Sequence, residues 1–222
     1  MKKIFTLIAV AAMALSANAQ NLLTFTQGAT ASDVTLEDGE FKVNAKSNKS
    51  GAAIDANSQY FGTAASYEQI TTRWKSGGKG DANVNITITV PSKGTVYIYT
   101  RSASSSATDR ALVVSQGETE LYNKVIKETE ATDYETATIE GETKKVFPVV
   151  AIPAEAGTLN VTWTTNALNF YGFKFVSEAA GIESVKGVKA AFKGATYNVA
   201  GQQVNAAAKG LVIKNGVKVV NK

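Results

Sequence analysis

VNITITVPSKGTVYIYTR, residues 84–101, is the stretch whose pattern decides the fold class. In its first half Val84, Ile86, Ile88 and Val90 alternate with Asn85, Thr87 and Thr89, so a strand here has one apolar and one polar face. Pro91 ends that strand, because proline brings no N–H to a ladder. From Thr95 the alternation resumes, with Val96 and Ile98 on one face and Tyr97, Tyr99 and Arg101 on the other. Short period-2 runs of this kind, with no long 3.6-residue periodicity over residues 20–176, argue for an all-β domain.

The same grammar extends outward in both directions. Upstream, 34–36 and 41–43 flank Asp38-Gly39, a two-residue hairpin signal because the favoured turns need positive φ. Downstream, the run beginning at Arg110 is followed by a turn at Gln116-Gly117, and another strand is expected near 146–152. Leu159, Val161 and Trp163 share a face, which places Trp163 in the core, and 168–176 forms a last, aromatic-rich strand. About eight such strands predict an all-β, two-sheet antiparallel sandwich, jelly-roll-like. The sandwich is expected over 20–176, a linker over 177–181, and a small C-terminal β module over 182–222. In that module Asn215-Gly216 between β-branched runs marks a hairpin.

Composition excludes several kinds of chemistry. Histidine and cysteine are both absent, so no Ser-His-Asp or Cys-His arrangement, no imidazole or thiolate metal site, no disulfide and no acylated lipoprotein cysteine can be built. Lys2-Lys3, the twelve-residue apolar run 4–15 and the small residues Ala17 and Ala19 read as a signal peptide over 1–19. The run is shorter than the about 20 residues of a spanning helix, so no transmembrane segment is expected in the mature chain. The protein is therefore expected to be exported, to the extracellular space or outer cell surface, or otherwise to the periplasm. The net charge of +4 conceals a split: 20–181 carries 14 Lys and Arg against 18 Asp and Glu, whereas 182–222 carries 7 lysines and the single acid Glu183. The mildly acidic body has no basic stripe, which argues against a nucleic-acid partner.

Two groups of residues are candidates for ligand contact. A sugar-binding face needs aromatic rings to stack on pyranoses beside polar groups for the hydroxyls, and Tyr97, Tyr99 and Arg101 form such a stripe unless that face is itself buried. Arg101 and Arg110 bracket the polar loop 102–109, where two guanidiniums could grip a carboxylate or could pair with Asp109 and nearby acids to pin the loop. Arg73 and Trp74 run into a Gly-rich loop that lacks phosphate-loop spacing; Trp74 is either an exposed stacking platform or a plug beneath the sandwich. No cofactor is expected. Glu37, Asp38, Glu40, Asp81 and Asn83 offer oxygens for a structural calcium without the EF-hand pattern, so no ligand set is assigned.

Two resemblances bear on function. YNVAGQQV (197–204) and KGLVIKNGVKVV (209–220) resemble the C-terminal sorting domains of Bacteroidetes proteins exported by the type IX secretion system. That resemblance implies secretion machinery as a partner of the tail, with a plain β-sheet appendage as the alternative. TTRWKSGG (71–78), TVYIYTRSASSSATDRALVV (95–114) and LNFYGFKF (168–175) are similar to β-sandwich modules attached to pectate lyases and other polysaccharide-degrading enzymes. This second resemblance implies a secreted or surface-attached, non-catalytic carbohydrate-binding module for polysaccharide, with acidic plant polysaccharide as one substrate class. The alternative is a structural or adhesive surface protein that binds another protein. A polysaccharide lyase using Arg or Lys as its base fits less well, because no paired catalytic groups can be located.

Overall fold

The computed structural model describes residues 21–178 and, in the tail, 196–198, 203–204, 210–214 and 217–221. The expected signal peptide 1–19 and the linker residues 179–181 lie outside them. The chain divides into two compact units, Met1–Ala179 and Ala180–Lys222. No helix among the described residues is long and apolar enough to cross a membrane.

The first unit is a β-sandwich. Its larger sheet joins β1 (Leu23–Thr24), β4 (Ala53–Thr63), β5 (Ser66–Lys75), β7 (Gly94–Ser102), β10 (Glu135–Ile139), β11 (Glu142–Phe147), β12 (Val150–Ala154) and β14 (Leu168–Ser177). The order is β10-β11-β4-β5-β14-β7-β12, with β1 beside β14, and β11 runs parallel to β4 while the other pairs are antiparallel. The smaller sheet, in order, is β2 (Asp33–Asp38), β3 (Phe41–Ser47), β6 (Val84–Val90), β13 (Gly157–Trp163), β8 (Ala111–Gln116) and β9 (Thr119–Val125). One turn of 3-10 helix, Ala131–Asp133, follows β9.

Alternation places the core between the sheets. Val84, Ile86, Ile88 and Val90 of β6 are buried, as are Val96 and Ile98 of β7 and Leu159, Val161 and Trp163 of β13. Rings meet across the gap: Phe41 stacks on Phe175 at 5.6 Å, and Trp74 meets Trp163 edge to face at 6.1 Å. Trp74 is therefore the plug, not a platform: it is fully buried, and its Nε1–H donates to the carbonyl of Ala31 at 2.8 Å. A buried indole needs such an acceptor, and this one fixes the ring in place.

Two irregularities give the larger sheet a second apolar face. In β14 the register against β7 slips between Phe170 and Gly172, so Phe170, Phe173 and Phe175 all join the main core while Tyr171 turns to the opposite face. In β4 the register against β5 slips between Ala56 and Gln59. β5 pairs with β14 only at Lys75 and Trp74, and the rest of the β4–β5 hairpin leaves that neighbour. Phe61 and Ile70 from this free part pack with Tyr99, Tyr171 and Phe147 into a second buried cluster, where Phe61 lies 4.9 Å from Tyr171 and 5.6 Å from Tyr99. The hairpin tip is tied down by the Ala64 N–H, which donates to the Glu135 carboxylate at 2.6 Å.

Several strand boundaries differ from the sequence expectation. The first hairpin turns at Gly39-Glu40 rather than Asp38-Gly39: Asp38 pairs with Phe41, and only Gly39 has positive φ. The apolar stretch near 146–152 is two strands, β11 and β12, which occupy different positions in the larger sheet. Ser177, assigned to the linker, closes β14 opposite Gly94. The second unit carries a four-stranded sheet in the order β16-β15-β17-β18, formed by β15 (Thr196–Asn198), β16 (Gln203–Val204), β17 (Gly210–Lys214) and β18 (Val217–Asn221).

Removing the Trp74 indole deletes the ring shared by Phe25, Trp163 and Phe170. Trp74→Ala is expected to lower the unfolding free energy by about 3–5 kcal/mol, read from urea denaturation of the mature chain, with Trp74→Phe costing less.

Candidate functional site

The outer face of β7 carries Tyr97, Tyr99 and Arg101, as alternation dictates, but that face is covered. Tyr99 is only 5% exposed, packed against Phe61, and its hydroxyl donates to Glu68 Oε2 at 2.8 Å. Tyr97 is half-buried against the same cluster. Tyr99 is thus a floor for the β4–β5 hairpin and is not free to meet a sugar, which leaves the expected stripe with the partly exposed Tyr97 as its single accessible ring.

The cations separate as well. Arg73 donates through Nε to Asp55 Oδ1 at 2.8 Å, and this hydrogen bond, helped by Lys75, holds the Asp55 carboxyl below the usual range against its partial burial. Tyr171, wholly buried, donates its hydroxyl to Asn57 Oδ1 at 2.7 Å; burial raises its pKa against the opposing pull of Arg101 and Arg73. Arg110 precedes β8 in the smaller sheet, and its Nη1 donates to the Ala167 carbonyl at 2.7 Å. Arg110 pins a loop, as one of the two sequence readings allowed, but its partner is a backbone carbonyl rather than Asp109. The proposed pair Arg101 and Arg110 does not form one grip, since each is held by a different element.

Arg101 is the sequence candidate that borders the largest cleft described among these residues. It forms an ion pair with Glu128, which lies between β9 and the 3-10 turn, and its guanidinium lies 3.9 Å from the centre of the Phe147 ring. The Glu128 side chain is 4% exposed and that of Arg101 16%. A carboxylate so withdrawn from water is tolerable only with its partner, so this pair latches the segment after β9 onto the larger sheet.

Above the latch opens a cleft of about 500 Å³. Ser58, Gln59 and Tyr60 of β4 form one wall, and Thr143, Lys144 and Lys145 of β11 form the other. The parallel β11–β4 pairing, with Val146 opposite Tyr60 and Phe147 opposite Phe61, sets these walls side by side. Lys144 pairs with Glu142, an exposed contact that raises the lysine pKa and lowers that of the acid. Lys145 lies 3.9 Å from the centre of the Tyr134 ring, and no carboxylate pairs with it among the described residues. No group of three or more acidic side chains could share a metal ion among the described residues. The sequence reading missed Tyr60, Lys144 and Lys145, because what unites them is a parallel contact between strands over eighty residues apart.

The chain matches no protein-family model and none of the curated proteins.

Two outcomes follow from this geometry. Glu128→Ala strands a buried guanidinium and should destabilise the fold by about 3–5 kcal/mol in urea denaturation, with Glu128→Gln costing less. Burial, then the bond to Glu68, raises the Tyr99 pKa. Its contribution to stability is therefore complete below the unfolded value near pH 10 and is lost as pH rises through the folded value. Urea midpoints should fall above about pH 10, and fall less steeply in Tyr99→Phe.

Proposed function

We propose that this protein is an exported, non-catalytic β-sandwich that binds an acidic polysaccharide in the cleft between β4 and β11. The observation that carries this reading is the cleft itself: Lys144 and Lys145 line it with Ser58, Gln59 and Thr143, and its one acid, Glu128, is already neutralised by Arg101. A uronate chain offers carboxylates at regular intervals and hydroxyls between them, which suits cations interspersed with Ser, Thr and Gln groups.

Energetics assign the cations different tasks. The Glu142–Lys144 pair is exposed and worth little, so a ligand carboxylate can replace Glu142 at small cost. Arg101 is committed to Glu128 and steadies the floor. The signal-like segment 1–19 and the likeness of the tail to type IX sorting domains support an exported or surface-held location. Leu211 and Val220, opposite each other on β17 and β18 and 46% and 67% exposed, supply an apolar contact in the tail for secretion machinery.

Affinity electrophoresis of the mature protein through gels containing polygalacturonate, xylan or a neutral glucan tests the binding reading. Retardation by polygalacturonate that weakens with added salt is expected, and the double change Lys144→Gln, Lys145→Gln should abolish most of it. Equal mobility in all gels would contradict the reading.

A further inference from the structure

Beyond Trp74 the β4–β5 hairpin has two chemically different faces. Tyr60 stands opposite Gln69 and Gly62 opposite Tyr67, so Tyr60, Gly62, Tyr67 and Gln69 share one face. Phe61 and Ile70 belong to the buried cluster beneath the hairpin. The rings of Tyr60 and Tyr67 meet edge to face, with centres 5.7 Å apart and planes at 89°. At 39%, Tyr67 is the one exposed aromatic side chain among the described residues.

Gly62 makes the pairing tight. Its φ is +130°, and a Cβ there would fall 2.3 Å from the Ser66 carbonyl oxygen, so no larger residue fits opposite Tyr67 without shifting the backbone. With the tip also bonded to Glu135, the two rings sit on a braced support. Tyr60 lines the cleft that Lys144 and Lys145 line from β11. Alternation along β11 puts Lys144 on the face of Val146 and hence of Tyr60, whereas Lys145 turns to the Phe147 face and lies over Tyr134, so the aromatic pair and Lys144 border one continuous surface.

We infer that Tyr60 and Tyr67 form a stacking platform at the mouth of the cleft, which makes the ligand an extended acidic chain rather than a single sugar. This rests on the polysaccharide reading above. One pyranose lies with its apolar C–H face on the exposed Tyr67 ring, which Tyr60 buttresses edge to face, and a neighbouring uronate sets its carboxylate against Lys144. Stacking is insensitive to salt whereas the lysine contact is screened, so the two parts of the site carry separable signatures. The rings are already braced in the free protein, which reduces the ordering cost on binding.

Isothermal titration of the mature protein with galacturonate oligomers of increasing length tests the inference, using Tyr67→Ala, Tyr67→Phe and Lys144→Gln. Affinity should climb with oligomer length until both parts of the site are spanned. Tyr67→Ala should weaken binding of the longer oligomers about tenfold with the salt slope unchanged, and Tyr67→Phe should retain most of the affinity. Lys144→Gln should flatten the salt slope instead. An unchanged thermal midpoint in Tyr67→Ala would exclude loss of fold as the cause. If the wild type binds these oligomers and Tyr67→Ala binds them equally well, the platform is wrong while the cleft reading survives. If the wild type binds none of them, the acidic-polysaccharide reading falls, and the platform with it.

Discussion

One extra residue in β14 sets the character of the larger sheet. Strict alternation from Phe170 would turn Phe173 and Phe175 away from the core; the irregularity between Phe170 and Gly172 keeps all three rings inside and sends Tyr171 outward. A fully buried tyrosine on an outer face needs a cover, and the free part of the β4–β5 hairpin supplies it through Phe61 and Ile70. The sandwich therefore carries a second, smaller apolar cluster outside its main one. The hairpin that covers this cluster presents its other face, with Tyr60 and Tyr67, to solvent.

That cover determines where polar chemistry can occur. On the hairpin Arg73 is paired with Asp55 and Asn57 accepts from the buried Tyr171 hydroxyl, while the Arg101–Glu128 pair secures the segment after β9. These groups are spent internally, since each already has a protein partner. The exposed cations Lys144 and Lys145 lie one strand further out on β11, where a ligand can displace an exposed ion pair at little cost. Burial, more than residue type, separates the side chains that hold the fold from those that can meet a ligand.

The strands that were legible are those whose one face meets the main core. β6 and β7 follow from strict alternation, and Trp163 is in the core as its neighbours Leu159 and Val161 imply. The stripe of Tyr97, Tyr99 and Arg101 was also placed on the correct face of its strand. Its exposure was not legible, because period-2 patterning identifies a second face without saying what lies against it. The hairpin that covers it, AIDANSQYFGT and SYEQITTRWK, hides its alternation behind the register slip between Ala56 and Gln59. Trp74 illustrates the same limit: its neighbours Arg73 and Lys75 and the Gly-rich loop after it leave platform and plug equally open, and packing puts the indole in the aromatic core. Lys144 and Lys145 carry no signal of their own in the sequence, and the parallel pairing of β11 with β4 is what brings them beside Tyr60.

The proposed ligand surface is the exposed side of the β4–β5 hairpin and the adjoining β11, not the Tyr97–Tyr99 face. Hydrogen–deuterium exchange of the mature protein, with and without saturating polygalacturonate oligomers, separates the two. Slowed exchange confined to residues 58–69 and 142–147 is expected, with β7 amides unchanged. Protection centred on residues 95–101, or on the smaller sheet, would contradict it.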